Sequence, residues 1–464
     1  MSFRYAAGIN KPGYNGLLVP DAPTIGTATA GNATASVPFT APSNIGGSAI
    51  TGYTVTSSPG SITATGTTSP ISVTGLTNNT AYTFTVTATN IYGTSISSSA
   101  SNSVTPALVA QLWSWGQNNK GQLGLGNTTQ TSSPQQIGAL TNWLQTAAGQ
   151  NWALAVKQDG TLWAWGNNSE GQLGQGNTAY RSSPVQIGSG TTWAYAAAGF
   201  TNCFAVKTDG TIWSWGYGDF GSLGRGVSSQ FASSPVQIGG LTNWLYVAAG
   251  YGGVGAIKTD GTLWTWGRGQ DGITGQGNTT NLSSPKQVGS LTNWSKISNG
   301  KYNMFAVKTD GTMWAWGSND QGALGVNSAT ATFSSPVQIG TLTTWVSVAA
   351  GLGMGAAIKS DNTLWGWGDG ALGRNGIIGG ADYSSPKLLK STVNWSSVSE
   401  NNANGLAIST TGNLYSWGSS SNGQLGYGTA DPYSNIGSPK QVGALATWLS
   451  VSAGAYFSTA TKSA

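Results

Sequence analysis

From residue 108 onward, three short markers recur in step. A Trp-x-Trp-Gly motif stands at Trp113/Trp115, Trp163/Trp165, Trp213/Trp215, Trp264/Trp266, Trp314/Trp316 and Trp365/Trp367, and a seventh copy reads Tyr415-Ser-Trp417-Gly418. Successive copies lie 50 or 51 residues apart. Ser-Pro keeps the same beat at Pro134, Pro184, Pro235, Pro285, Pro336, Pro386 and Pro439, and so does a lone tryptophan at Trp143, Trp193, Trp244, Trp294, Trp345, Trp395 and Trp448. Three independent markers that each count seven mean one supersecondary unit copied seven times, so the fold must be a repeat architecture.

Within a repeat the pattern predicts four strands, at 162–165, 184–187, 193–198 and 204–207. Asp-Gly recurs between strands at Asp159-Gly160, Asp209-Gly210, Asp260-Gly261 and Asp310-Gly311, a hairpin signal read here as a two-residue turn with both residues at positive φ. Four antiparallel strands every fifty residues or so make a propeller blade. The first repeat starts at Leu112-Trp113 without a preceding strand, and the chain finishes on Phe457-Ser-Thr-Ala-Thr-Lys462. The C-terminal strand is therefore expected to complete the first blade, because an unclosed array leaves two open sheet edges. The fold class predicted is all-β, with a seven-bladed propeller over 108–464 closed by a split blade.

Gln117-Asn-Asn-Lys-Gly-Gln-Leu-Gly-Leu-Gly126, Asn167-Asn-Ser-Glu-Gly-Gln-Leu-Gly-Gln-Gly176 and Ser419-Ser-Ser-Asn-Gly-Gln-Leu-Gly426 resemble the regulator of chromosome condensation repeat. The resemblance implies a propeller used for unrelated tasks, among them nucleotide exchange on a small nuclear GTPase and inhibition of β-lactamases. The histidine usual in that family after the small-residue strand is replaced here by Trp152, Asn202, Gly253, Asn303, Met354, Asn404 and Phe457.

Residues 20–106 alternate β-branched and aromatic residues in short runs, such as Ile50-Thr-Gly-Tyr-Thr-Val55 and Tyr82-Thr-Phe-Thr-Val-Thr-Ala88, which predicts a β-sandwich. The stretch Gly75–Gly93 resembles a fibronectin type III domain, with Tyr82 at the tyrosine-corner position and Phe39 about where that family has a tryptophan. Residues 1–19 carry Phe3, Tyr5, Pro12 and Tyr14 without strand or helix periodicity and are read as an extended docking peptide.

Composition narrows the function. Only 7% of residues are charged, and the basic residues behind the net charge of +5 form no cluster, so no nucleic-acid partner is expected. No apolar run is long enough to cross a bilayer, so no membrane insertion is expected. One cysteine, Cys203, excludes an internal disulfide and reads as a buried thiol. Histidine is absent, which removes the commonest general base and metal ligand. Five of the fourteen carboxylates, Asp159, Asp209, Asp260, Asp310 and Asp361, sit in the hairpin turns. Glu170, Asp219, Asp271, Asp320 and Asp369 fall in the loop after Trp-x-Trp, a loose acidic ring that turn preference also explains. Neither enzymatic activity, a cofactor nor a metal is expected.

Twenty of the twenty-one tryptophans keep repeat positions, as core packing requires; Trp152 is the exception. It lies in a loop that differs in every repeat, and a variable loop on a constant scaffold is where a binding surface differs from its framework. Gln150, Asn151, Trp152, Phe200, Tyr251, Lys301, Tyr302 and Tyr456 are the candidate contact residues. The function expected is a binding or structural protein displayed on a phage virion, as capsid decoration or tail adhesin. Residues 1–19 would hold it to other virion structural proteins, and the propeller would meet a host surface protein or glycan. A bacterial cell-surface adhesin or inhibitor is the alternative, with a carbohydrate-active enzyme behind it.

Overall fold

The computed structural model describes residues 18–107, 109–329, 332–428 and 435–463. The chain divides into two compact units, one ending at Val109 and one beginning at Ala110. Of the expected docking peptide, all but Leu18 and Val19 lies outside the described residues. Leu18 belongs to the first unit, where its N–H donates to the Gly46 carbonyl at 3.0 Å and its carbonyl accepts from Asn90 Nδ2 at 2.9 Å.

The first unit is built of short antiparallel sheets. One runs Thr63–Gly66, Gly52–Ser58, Thr83–Asn90, Gly93–Thr94; another pairs Thr29–Gly31, Thr34–Val37 and Ile71–Thr74. Period-2 alternation turns Val37, Tyr53, Val55, Val73, Phe84 and Val86 into one buried core. Phe39 is buried there against Tyr53, with ring centroids 4.6 Å apart. The hydroxyl of Tyr82 accepts a hydrogen bond from the Thr77 N–H at 3.1 Å, which ties the corner before the longest strand to the chain upstream.

The second unit contains seven four-stranded antiparallel sheets among the described residues. In one, Trp143–Ala148, Trp152–Lys157, Leu162–Gly166 and Arg181–Gln186 follow in that order. The sequence repeat and the sheet are therefore out of phase. Of the four strands read as one repeat, the last two do not share the sheet of the first: Trp193–Ala198 and Asn202–Lys207 belong instead with Ile212–Gly218. The tight Asp-Gly turn joins strands within a sheet, while the loop from Ser-Pro to the lone tryptophan steps to the next one. The first sheet takes strands from both ends of the unit, with Ala110–Gly116 against Phe457–Ser463 in the register Trp113↔Ala460.

The Asp-Gly turns differ from the two-residue form. Gly160 has φ +76°, but Asp159 does not enter the positive-φ region. The Gly160 N–H closes the turn on the Lys157 carbonyl. The Asp159 carboxylate accepts from the Thr161 N–H at 3.0 Å and its hydroxyl at 2.6 Å, so the aspartate organises the turn through its side chain rather than through its backbone. The Thr161 hydroxyl in turn accepts from Trp163 Nε1 at 2.9 Å. The same Asp–Thr–Trp chain recurs at Asp209, Asp260, Asp310 and Asp361.

The tryptophans divide the packing between them. The first of each motif stands edge-on to a lone tryptophan, with centroids 5.8 to 6.1 Å apart in six sheets and Tyr415 replacing it against Trp395 in the seventh. A lysine lies over five of these pairs, with Lys258 Nζ 3.7 Å from the Trp264 ring centre and 4.8 Å from that of Trp244. The second tryptophan of each motif is fully buried and reaches into the neighbouring sheet. Trp165 Nε1 donates to the Gln122 carbonyl at 2.9 Å and Trp215 Nε1 to Gln172 at 2.7 Å. Trp115 does the same to Gln424 at 2.8 Å, which joins the first sheet to the last.

Candidate functional site

Because the four strands alternate in direction, the loop between the first two and the loop between the last two emerge on one face, opposite the Asp-Gly turns. The variable triads therefore share a face with the Gly-Gln-Leu-Gly loops. The innermost strands of all seven sheets line a cavity of about 350 Å³, and Gln150, Phe200, Tyr251, Lys301, Leu352 and Asn401 stand round its mouth.

Each variable loop is a triad such as Gln150-Asn151-Trp152, and its third residue is not surface. Trp152, Asn202, Gly253, Asn303, Met354, Asn404 and Phe457 are all buried, because each is the first residue of the second strand and points between sheets. Trp152 is consequently a packing residue and not a contact residue. It is fully buried, and its Nε1 donates to Cys203 Sγ at 3.2 Å, the thiol donating in turn to the Gln172 carbonyl. Burial pushes the Cys203 thiol far above its ordinary range. The irregularity that marked Trp152 in the sequence is a size match within the core.

The other candidates are half-buried or exposed, and four of them come together. Phe200 and Tyr251 have ring centroids 4.5 Å apart, and Tyr251 and Tyr302 6.2 Å apart. Lys301 Nζ lies 5.1 Å from the Tyr251 ring and 4.9 Å from the Tyr302 ring. The structure adds two residues that sequence reasoning missed. The Arg268 guanidinium sits 5.5 to 5.6 Å from the rings of Phe220, Tyr251 and Tyr302, and Phe220 is 43% exposed. For Arg268 the signal was present: the residue after Trp-x-Trp-Gly is as variable as the triads, reading Gln117, Asn167, Tyr217, Arg268, Ser318, Asp369 and Ser419. Gln150, Asn151 and Tyr456 share the face but not the cluster. Asn151 accepts from Gln122 Nε2 at 3.4 Å, and Tyr456 is 38% exposed.

The acidic residues do not form a ring. Relative to the equivalent loop glycines Gly171, Gly221, Gly272, Gly322 and Gly373, Glu170 and Asp271 stand one residue before, Asp219 and Asp320 two before and Asp369 four before. Asp369 is buried and paired with Arg374 Nη1 at 2.8 Å, while Asp219 accepts from the Ser229 hydroxyl at 3.2 Å. The central cavity holds a different acid. Glu400 is 7% exposed, neither carboxylate oxygen has a protein partner, and burial holds it well above the usual carboxylate range.

Tryptophan-keyed four-stranded sheets round a common cavity, preceded in the chain by a small β-sandwich, define a β-propeller protein. Residues 110–156, 159–206, 209–257, 260–307, 310–358 and 411–461 match the regulator of chromosome condensation (RCC1) repeat, and residues 21–104 match the fibronectin type III domain. The chain belongs to the RCC1 repeat family. Residues 359–410, outside those matches, still form strands on the same plan. The chain is 41% identical to Protein RCC2 homolog of Danio rerio over 64 residues, 13% of either protein. It thus spans about an eighth of the length of the curated relatives it matches. Its fold is similar to that of Prp20p from Saccharomyces cerevisiae, described with its binding properties to Gsp1p and histones (TM-score 0.69, 20% identity, 77% of this chain and 92% of that one). Human WBSCR16 is similar too (TM-score 0.70, 19% identity, 76% and 99%).

Proposed function

We propose that this chain is a non-catalytic recognition protein whose seven sheets are the blades of one closed ring, and that it meets a partner protein through the face carrying Phe200, Phe220, Tyr251, Tyr302, Arg268 and Lys301. One observation carries this reading. Four aromatic rings and two cations, drawn from three successive sheets, form a contiguous half-exposed arc, and aromatic residues with arginine are the side chains enriched at protein contact surfaces. Closure is supported by the bond from Trp115 to Gln424 and by the pairing of Phe457–Ser463 with Ala110–Gly116. Protein binding is also what is described for Prp20p.

A photo-crosslinking residue at position 251, and another at Leu241 near the opposite Asp-Gly turns, tests the contact surface in producing cells. A discrete protein adduct from position 251 and none from 241 supports the reading; no adduct, or the same adduct from both, sinks it.

The setting proposed is a phage virion, with residues 1–19 as the docking peptide. Its support is compositional: 7% charged residues and a Thr/Ala/Gly-rich sandwich ahead of the propeller. Immunogold labelling of purified particles decides it, since label confined to cell envelopes points to an adhesin instead.

A further inference from the structure

In two of the sheets, the buried first residue of the second strand meets the residue that follows the first glycine of the Gly-Gln-Leu-Gly loop, and the two side chains are matched. Asn202 Nδ2 donates to the Ser222 hydroxyl at 3.0 Å. Gly253 lies under Ile273, where an added Cβ would meet the isoleucine side chain at 3.2 Å. The equivalent positions in four other sheets hold Met354 with Arg374, and Trp152, Asn404 and Phe457 with Gln172, Gln424 and Gln122. In the remaining sheet these positions hold Asn303 and Ala323, which line one cavity. Asn303 is 1% exposed, and neither its Nδ2 nor its Oδ1 has a protein partner. A cavity of about 270 Å³ opens there, lined among others by Tyr302, Asn303, Asp320, Gln321, Asp369 and Arg374.

We propose that this cavity binds a single neutral sugar ring. Its buried charges cancel, since Asp369 is paired with Arg374 at 2.8 Å, and Asp320 at the rim is exposed to solvent. An anion or a cation would therefore gain little, whereas a ligand must satisfy a donor and an acceptor on one amide. Hydroxyl groups do both. Asn303 is the polar group at the base, Arg374 Nε is a second buried donor without a protein partner, and the Tyr302 ring supplies an apolar wall. A concave site with a few convergent polar groups is the usual form of a small-ligand pocket, and this volume lies just below the range of about 300–1,000 Å³ that drug-sized ligands occupy, as suits a single ring. Gly353 keeps the entrance open, since a Cβ there would touch nothing closer than 3.8 Å. The cavity shares Tyr302 with the aromatic arc, but Asn303 and Ala323 take no part in that arc, so the two sites can be tested apart.

Saturation-transfer difference NMR on the full chain with glucose, galactose, mannose and N-acetylglucosamine tests it. The variant is Ala323→Gln, which installs the residue that three other sheets carry and fills the cavity without removing a packing group. Its carbonyl, the acceptor for Trp367 Nε1, is retained, so the tryptophan-fluorescence unfolding midpoint should not fall. At least one sugar is expected to bind, with affinity at least tenfold weaker in Ala323→Gln and in Asn303→Ala, while crosslinking from position 251 is unchanged. Silence from all four sugars, undiminished binding in Ala323→Gln, or binding of Nα-acetyl-lysine amide in place of the sugars would overturn it.

Discussion

Glu400 offers the sharpest test of the core reasoning. At the same position of the innermost strand, five sheets carry alanine: Ala148, Ala198, Ala249, Ala350 and Ala453. Glu400 alone puts a carboxylate there, buried and without a protein partner, and Lys301 is the other charged residue among those lining the cavity. Burial raises its folded-state pKa, so the folded chain holds the proton more tightly than the unfolded chain does. The stability it contributes is complete below the unfolded value of about 4.3 and is lost as pH rises through the folded value. Within that window the loss runs at about 1.4 kcal/mol per pH unit. Glu400→Gln keeps the shape and removes the titration. The variant should match the parent near pH 4 and exceed it by about 1–3 kcal/mol at pH 7, the usual cost of an unsatisfied buried polar group. Urea unfolding followed by tryptophan fluorescence reads the second unit alone, since all 21 tryptophans lie at or beyond Trp113. A stability difference that does not change between pH 4 and pH 8 would refute the argument, because it would mean that Glu400 is ionised and compensated in the folded state.

Trp115→Phe removes the bond to the Gln424 carbonyl and should cost about 1–3 kcal/mol, read from the same unfolding curve. Tyr82→Phe strips the acceptor from the Thr77 N–H and should lower the stability of the first unit by about 0.5–1.5 kcal/mol with the tryptophan signal unmoved; calorimetry resolves the two transitions. Threonine hydrogen bonds hold Asp209, Asp260, Asp310 and Asp361 below the usual carboxylate range, so their contribution is present above about pH 3.9 and lost as pH falls through the lower folded values. Changing all four to asparagine should flatten the acid limb of the stability profile, and parallel limbs would count against the turn assignment.

Periodicity alone was enough to identify the repeat, the strands and the packing role of the recurring tryptophans. A residue that returns every fifty positions must occupy an equivalent place in each copy, so no coordinates are needed to call it framework. The same logic misassigned Trp152. Breaking the repeat marks a residue as different, but strand parity decides whether it points to solvent or between sheets, and parity is counted from a strand start that the sequence locates only to within a residue or two. The hairpin turns show a related loss, since Asp-Gly is compatible with more than one turn and the Asp–Thr–Trp chain that selects among them is made by side chains. The arc joining Phe200, Tyr251 and Tyr302 to Arg268 and Phe220, and the unmatched pair Asn303 and Ala323, depend on contacts across sheets or between positions some twenty residues apart. Those neighbours are set by how antiparallel strands fold back and how one sheet packs on the next, which only the tertiary structure decides.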